Sequence, residues 1–181
     1  MLDSSFALLL MDRIATVHSL VYGTPTENCQ SMLPQHDNYL PQWMDPSPYN
    51  LSASIILDST SNSSDQYNVT LIAERRRTFK GFFIQARSLT DHKIIGSFDP
   101  VKDPDVAKLI DCPGGTQIQV SDLQNAATHV INYPKSVVNF VWKPPANFEG
   151  KFYFEATVVA EYKVFWTGIE TPPFNITKTG Q

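Results

Sequence analysis

Apolar and polar positions alternate over Tyr67 to Ala73, with Tyr67, Val69, Leu71 and Ala73 on one side and Asn68, Thr70 and Ile72 on the other. A period of two is the mark of a strand with one buried face. Tyr49 to Leu57 begins a similar run, and the polar stretch from Ser59 to Asp65 between them reads as an exposed loop, so the two are predicted to form a hairpin. Phe79 to Arg87 is the next predicted strand, with Gly81 marking a bulge or a close backbone approach. Thr116 to Val120, Thr128 to Tyr133, Ser136 to Trp142 and Lys151 to Tyr162 follow as strands. Turn signals at Pro113-Gly114-Gly115, Tyr133-Pro134-Lys135 and Pro144-Pro145-Ala146-Asn147 separate them. A short helix is expected over Asp103 to Ile110, where Pro104 suits a first turn and Val106, Leu109 and Ile110 mark one apolar side.

Many short strands with such punctuation predict an all-β fold, an antiparallel β-sandwich with at most one short helix. From Gly23 to Pro48 the prolines at 25, 34, 41, 46 and 48 remove ladder donors, which predicts an extended Pro-rich N-terminal arm packed on the sandwich. The expected organisation is a signal peptide over 1–23, the arm over 24–48, the sandwich over 49–170 and a polar tail over 171–181. The signal peptide is atypical: Asp3 sits where a positive charge is usual, although Val17-His18-Ser19 and Val21-Tyr22-Gly23 offer cleavage-site spacing. An amphipathic N-terminal helix, or a mis-assigned start codon upstream of the true signal, is the alternative. No run reaches the roughly 18 to 20 apolar residues of a membrane span.

Composition then narrows the chemistry. The 181 residues are 42% hydrophobic and 18% charged with a net charge of −4, so no global positive field draws the chain to nucleic acid or to an anionic membrane, and any anion binding must be local. Cys29 and Cys112, each among turn residues, would form one disulfide in a secreted chain, worth roughly 4 to 5 kcal/mol at most by chain entropy. Two buried free thiols in a cytosolic protein are the alternative. N-x-S/T acceptors at Asn50, Asn62, Asn68 and Asn175 support secretion, and Asn62 in the polar loop is the best placed of them.

Arg75, Arg76 and Arg77, with Lys80 nearby, are the sharpest charged cluster and a candidate anion site, since arginine forks match phosphate and sulfate. A strand continuing through them would point only Arg75 and Arg77 the same way, and a solvated loop or charged edge strand is the competing role. His18, His36, His92 and His129 are scattered without zinc-site spacing, so no metal or other cofactor is expected. Trp142 and Trp166 are expected in the core. Trp43, beside Pro41, is the better candidate for exposure, with a plug beneath the arm as its more ordinary fate. No nucleophile elbow or paired redox cysteine is present, so no enzyme activity is expected.

Six spaced blocks together resemble the reeler domain, the N-terminal domain type of reelin and F-spondin. They are Cys29-x-x-Met32-x-Pro34-x-His36, Phe79-Lys80-Gly81-Phe82, Gly96-Ser97-Phe98, Cys112, Trp142-Lys143-x-Pro145, and Phe154-x-Ala156-Thr157-Val158-Val159 ending in Phe165-Trp166. The resemblance runs from Cys29 to Trp166 and is nearest to the small secreted insect defence proteins, including those mediating nodulation. It implies an immunoglobulin-like sandwich, secretion, a disulfide, and defence through binding of microbial surface polysaccharide or lipopolysaccharide, or of haemocytes. An extracellular matrix or cell-surface adhesion module binding glycosaminoglycan is the alternative. Longer relatives that reduce ferric chelates do so with haem-binding and transmembrane segments, which these residues do not contain, so no reductase activity is expected of them.

Overall fold

The computed structural model describes residues 23–56, 66–113 and 124–177. Among them one sheet carries β1 (Tyr49–Ile56), β2 (Gln66–Ala73), β7 (Val137–Lys143) and β4 (Ser97–Phe98) in that order. The second runs β10 (Phe174–Ile176), β8 (Gly150–Glu161), β3 (Gly81–Ser88), β6 (Ala126–His129) and β5 (Ala107–Ile110), with β9 (Val164–Glu170) also pairing β8. Every pairing is antiparallel, and the two sheets pack as a sandwich.

The hairpin of β1 and β2 forms as the alternation requires, with Leu51 opposite Leu71 and Ala53 opposite Val69. Tyr67, Val69 and Leu71 enter the core and meet Val138, Phe140 and Trp142 of β7. Trp142 is fully buried, stacks on Phe152 at 4.9 Å, and donates its indole N–H to the Ile95 carbonyl at 3.3 Å. A buried tryptophan needs such a partner for its one donor.

β3 is buried on both faces from Gly81 to Arg87. Phe82, Ile84 and Ala86 face the sandwich core. On the opposite face Phe83 joins Cys29, Met32, Ile94, Cys112 and Ala126 in a second apolar cluster, so the arm covers the outside of this sheet. Of the two roles expected for Gly81, close approach is the one realised: its pairing with Val159 is in register, and an added Cβ would lie 3.0 Å from the His129 ring.

Three expectations are corrected. Asp103 to Ile110 is not a helix. The amides of Val106 and Ala107 turn back on the Asp103 carbonyl, and Ala107–Ile110 then pairs with β6. One turn is too short to stabilise a helix, and the sheet edge offers Leu109 and Ile110 both a ladder and a covered face. The strand expected over Thr128 to Tyr133 is β6, Ala126–His129, ending before Pro134. The segment expected as a polar tail from 171 contains β10, because Phe174 stacks on Phe152 at 5.5 Å while pairing with it. The predicted strand Thr116 to Val120, residues 1–22 of the expected signal peptide and the whole Ser/Asn loop over 59–65 lie outside the described residues.

Candidate functional site

The arm is held to the outer sheet face by a covalent bond and several polar ones. Cys29 and Cys112 form a disulfide with Cα atoms 5.6 Å apart, which settles the choice between disulfide and free thiols. Arg87, 5% exposed along its side chain, pairs with Glu155 at 3.0 Å and donates to the carbonyls of Cys29 at 2.8 Å, Gln30 at 3.2 Å and His92 at 3.0 Å. Thr157 donates to the Met32 carbonyl at 2.6 Å. Burial pushes the Glu155 carboxyl up, and the Arg87 charge pulls it back. Between arm and sheet a cavity of about 40 Å³ remains, lined by Met32, His36, Phe83 and Thr157 among others. That is room for a few waters and not for a sugar or an acyl chain.

Beyond His36 the arm crosses one end of the sandwich. His36 is buried, stacks on Tyr162 at 4.6 Å and meets Phe165 edge-on at 5.5 Å. Tyr162 donates to Asp37 at 2.8 Å, and the Gln42 amide donates to the Phe165 carbonyl at 2.8 Å. Trp166, buried as expected, donates its indole N–H to the Asp45 carbonyl at 3.3 Å. Between these anchors the side chains turn outward: Leu40 is 72% exposed, and Trp43 and Met44 are each 78% exposed. Trp43 is therefore no plug beneath the arm. With the Gln42 amide spent on β9, its neighbour on the chain faces away from the sheet.

The arginines lie at this same end. β2 stops at Ala73, and the Glu74 amide donates to the Pro48 carbonyl at 2.8 Å, tying the next turn to the end of the arm. Arg75 and Arg76 adopt left-handed backbone, φ 51° and 59°, and the Arg77 amide closes the turn on the Glu74 carbonyl at 3.0 Å. The cluster is thus an exposed turn and not a strand, so the expected alternation of faces does not apply to it. Arg77 is close enough to lower the phenol pKa of Tyr49, although burial has the larger, opposite effect. Tyr49 in turn packs edge-on against Trp166 at 5.3 Å. The turn is thus tied to the end of the arm by the Glu74 amide on Pro48, and ring and hydrogen-bond contacts run from Tyr49 through Trp166 to Asp45, next to Met44.

The other cations of this end are differently occupied. Lys80 pairs with Glu161 at 2.7 Å. The Lys135 ammonium donates to the carbonyls of Ile131 at 3.2 Å and Tyr133 at 2.7 Å and to that of Lys80, and burial lowers its pKa to about 8. Lys163 sits over the Tyr39 ring at 5.0 Å. Among the described residues Arg75, Arg76 and Arg77 form no ion pair, and with the exposed Lys163 they are the cations at the surface of this end.

Of the acceptor asparagines, Asn50 and Asn175 are exposed on β1 and β10, Asn68 is half-buried on β2, and Asn62 lies outside the described residues. His92 contacts the Tyr153 hydroxyl at 3.0 Å, and His129 lies against the Phe82 backbone. His18 is outside the described residues, among which no three His, Cys, Asp or Glu side chains gather as a metal site and no helix is long and apolar enough to cross a membrane. Leu40, Met44 and the outward turn of Trp43 are what sequence reasoning missed. The available signal was three large apolar residues set between prolines, where no ladder can bury them.

Residues 27–181 match the family described as the reeler domain. This chain belongs to that family. The reeler fold is seen also in the crystal structure of the reelin-N domain of F-spondin, which is 18% identical, with a TM-score of 0.51 over 73% of this chain and 88% of that one. "Putative defense protein 3" of Antheraea mylitta is 30% identical over 173 residues, covering 95% of this chain and 96% of that protein. "Putative ferric-chelate reductase 1 homolog" of Drosophila melanogaster is 34% identical over 164 residues, but this chain spans 24% of its length. The likeness to the reductase is confined to its reeler part. An all-β reeler sandwich with a disulfide and full-length relatives named as defense proteins is what the fold and the comparisons establish together.

Proposed function

We propose that this reeler domain is a secreted, non-catalytic defence protein that binds microbial surface molecules such as lipopolysaccharide or β-glucan, and so promotes aggregation and capture of cells. The observation that carries this reading is the joining of the Arg75–Arg77 turn to the outward Leu40, Trp43 and Met44 at one end of the sandwich. Guanidinium forks match phosphate, and an exposed apolar rim is uncommon on a soluble domain without a binding role. The disulfide and the exposed acceptors Asn50 and Asn175 support an extracellular setting. The relatives named defense proteins support the biological role.

The test is co-sedimentation of the glycosylated protein with Gram-negative bacteria, Gram-positive bacteria and yeast, with lipopolysaccharide, β-glucan and heparin as competitors. Pelleting that a microbial polymer competes and heparin does not is the expected result. Because the arginine turn suits sulfate as well as phosphate, competition by heparin alone would assign the domain to matrix adhesion instead.

A further inference from the structure

We infer that the arm tip inserts into an anionic lipid surface, Leu40, Trp43 and Met44 entering the interfacial layer while Arg75, Arg76 and Arg77 hold its phosphates. This inference rests on the reading above that this end is the binding end, and it names the ligand class.

Three observations favour lipid over sugar. First, two of the three outward side chains, Leu40 and Met44, are aliphatic and cannot stack on a pyranose ring, whereas all three suit acyl chains. Tryptophan in particular favours the boundary between headgroup and hydrocarbon. Second, the tip is held in place before any ligand arrives. The Gln42 amide on the Phe165 carbonyl, the Trp166 indole on the Asp45 carbonyl and the Tyr162 hydroxyl on Asp37 fix the chain on both sides of it. Exposing such side chains on a fixed loop reduces the ordering cost of insertion.

Third, the charge around the tip is sorted. Glu161 is paired with Lys80 and Asp37 accepts from the neutral Tyr162 hydroxyl, while the three arginines form no ion pair among the described residues. Asp37, Asp45 and Glu74 remain beside the patch, so attraction is local and salt-sensitive rather than a property of a chain carrying −4 overall. Apolar insertion and cationic headgroup contact are each weak alone and together give stable peripheral binding.

The tryptophans make the test specific. Trp142 and Trp166 are buried at 0% and 7% exposure, and Trp43 is the exposed one at 78%. Mixing the protein with vesicles of phosphatidylglycerol and phosphatidylcholine should blue-shift the emission, and acyl-brominated lipid should quench it. Both signals should vanish in Trp43→Phe, while vesicle flotation is weakened but retained because the phenyl ring still inserts. Leu40→Ser with Met44→Ser should weaken partitioning on the order of tenfold, and pure phosphatidylcholine should bind far less. These substitutions are on exposed side chains, and an unchanged melting temperature confirms that each variant is folded.

Flotation without blue shift or quenching would overturn insertion and leave a purely electrostatic binding end. Pelleting with microbial cells but no flotation with any vesicle would overturn the lipid assignment in favour of a polysaccharide. No binding to cells or vesicles would remove the insertion and the proposed function together.

Discussion

The guanidinium of Arg87, on the outer face of β3, donates to the carbonyl of Cys29 at 2.8 Å while pairing with Glu155 of β8 at 3.0 Å. The half-cystine that ties the arm to the domain is thus also held by a buried charge, and the two constraints meet at one residue. Removing the arginine leaves the Glu155 carboxylate without its counter-ion in a site whose burial already pushes its pKa up. Arg87→Ala should cost about 3 to 5 kcal/mol, read as the shift in urea midpoint. Arg87→Met with Glu155→Leu should recover much of that loss, since an apolar pair of similar volume carries no stranded charge. A single variant as stable as the parent would refute the pairing as a structural support.

The disulfide closes a sequence separation of 83 residues. Cys29→Ser with Cys112→Ser should therefore lower stability by up to about 4 to 5 kcal/mol, and by less where the reduced chain keeps residual structure. The loss should be local first: limited proteolysis should cut the arm between Gln30 and Pro48 before it touches β3 or β8. Simultaneous loss of arm and sandwich would show that the arm is integral to the core rather than a layer over it.

His36 makes stability depend on pH. Burial holds its imidazole below the ordinary 6.5, against the opposing pull of a hydrogen bond to the Tyr162 backbone and the charge of Asp37. The unfolded chain then binds more protons than the folded one between 6.5 and the lowered folded value. Stability from this group is fully present above 6.5 and falls as the pH drops through that window. His36→Phe keeps a ring against Tyr162 and Phe165 and should flatten the dependence. Chemical denaturation of both proteins from neutral to mildly acidic pH checks this, and parallel curves would refute it.

Much of this architecture was legible in the residue pattern, and the remainder was not for identifiable reasons. β2 and β7 alternate because one face is core and the other solvent, so they announce themselves. β3 does not alternate because the arm buries its second face, yet its unbroken run still reads as strand. β4 and β10 are too short, at two and three residues, for any period to appear. The Asp103 turn carries good helix-start signals, and pairing with β6 overrides them from Ala107 onward. At the end that carries the arm tip, the arginines were visible as a run of charge. Their union with Trp43 was not, because it depends on Gln42 reaching Phe165 and Glu74 reaching Pro48, contacts between residues far apart in sequence.

Two glycines with left-handed backbone separate backbone strain from packing. Gly96 has φ 67°, and a Cβ placed on it would collide with the Lys143 carbonyl and the Trp142 indole. Gly168 has φ 64°, and a Cβ there would meet nothing within 4 Å. Gly168→Ala should therefore cost only the conformational penalty, about 1 to 2 kcal/mol. Gly96→Ala bears the same penalty and must in addition displace the most deeply buried indole of the core, whose N–H is committed to the adjacent Ile95 carbonyl. Its cost should exceed that of Gly168→Ala by at least about 1 to 3 kcal/mol, the usual range for overpacking. The same variant should disturb the near-ultraviolet dichroism of the Trp142 environment. Equal costs at the two positions, with an unchanged aromatic spectrum, would mean that β4 can move off β7 and that the Gly96–Trp142 contact is not what fixes this corner of the sandwich.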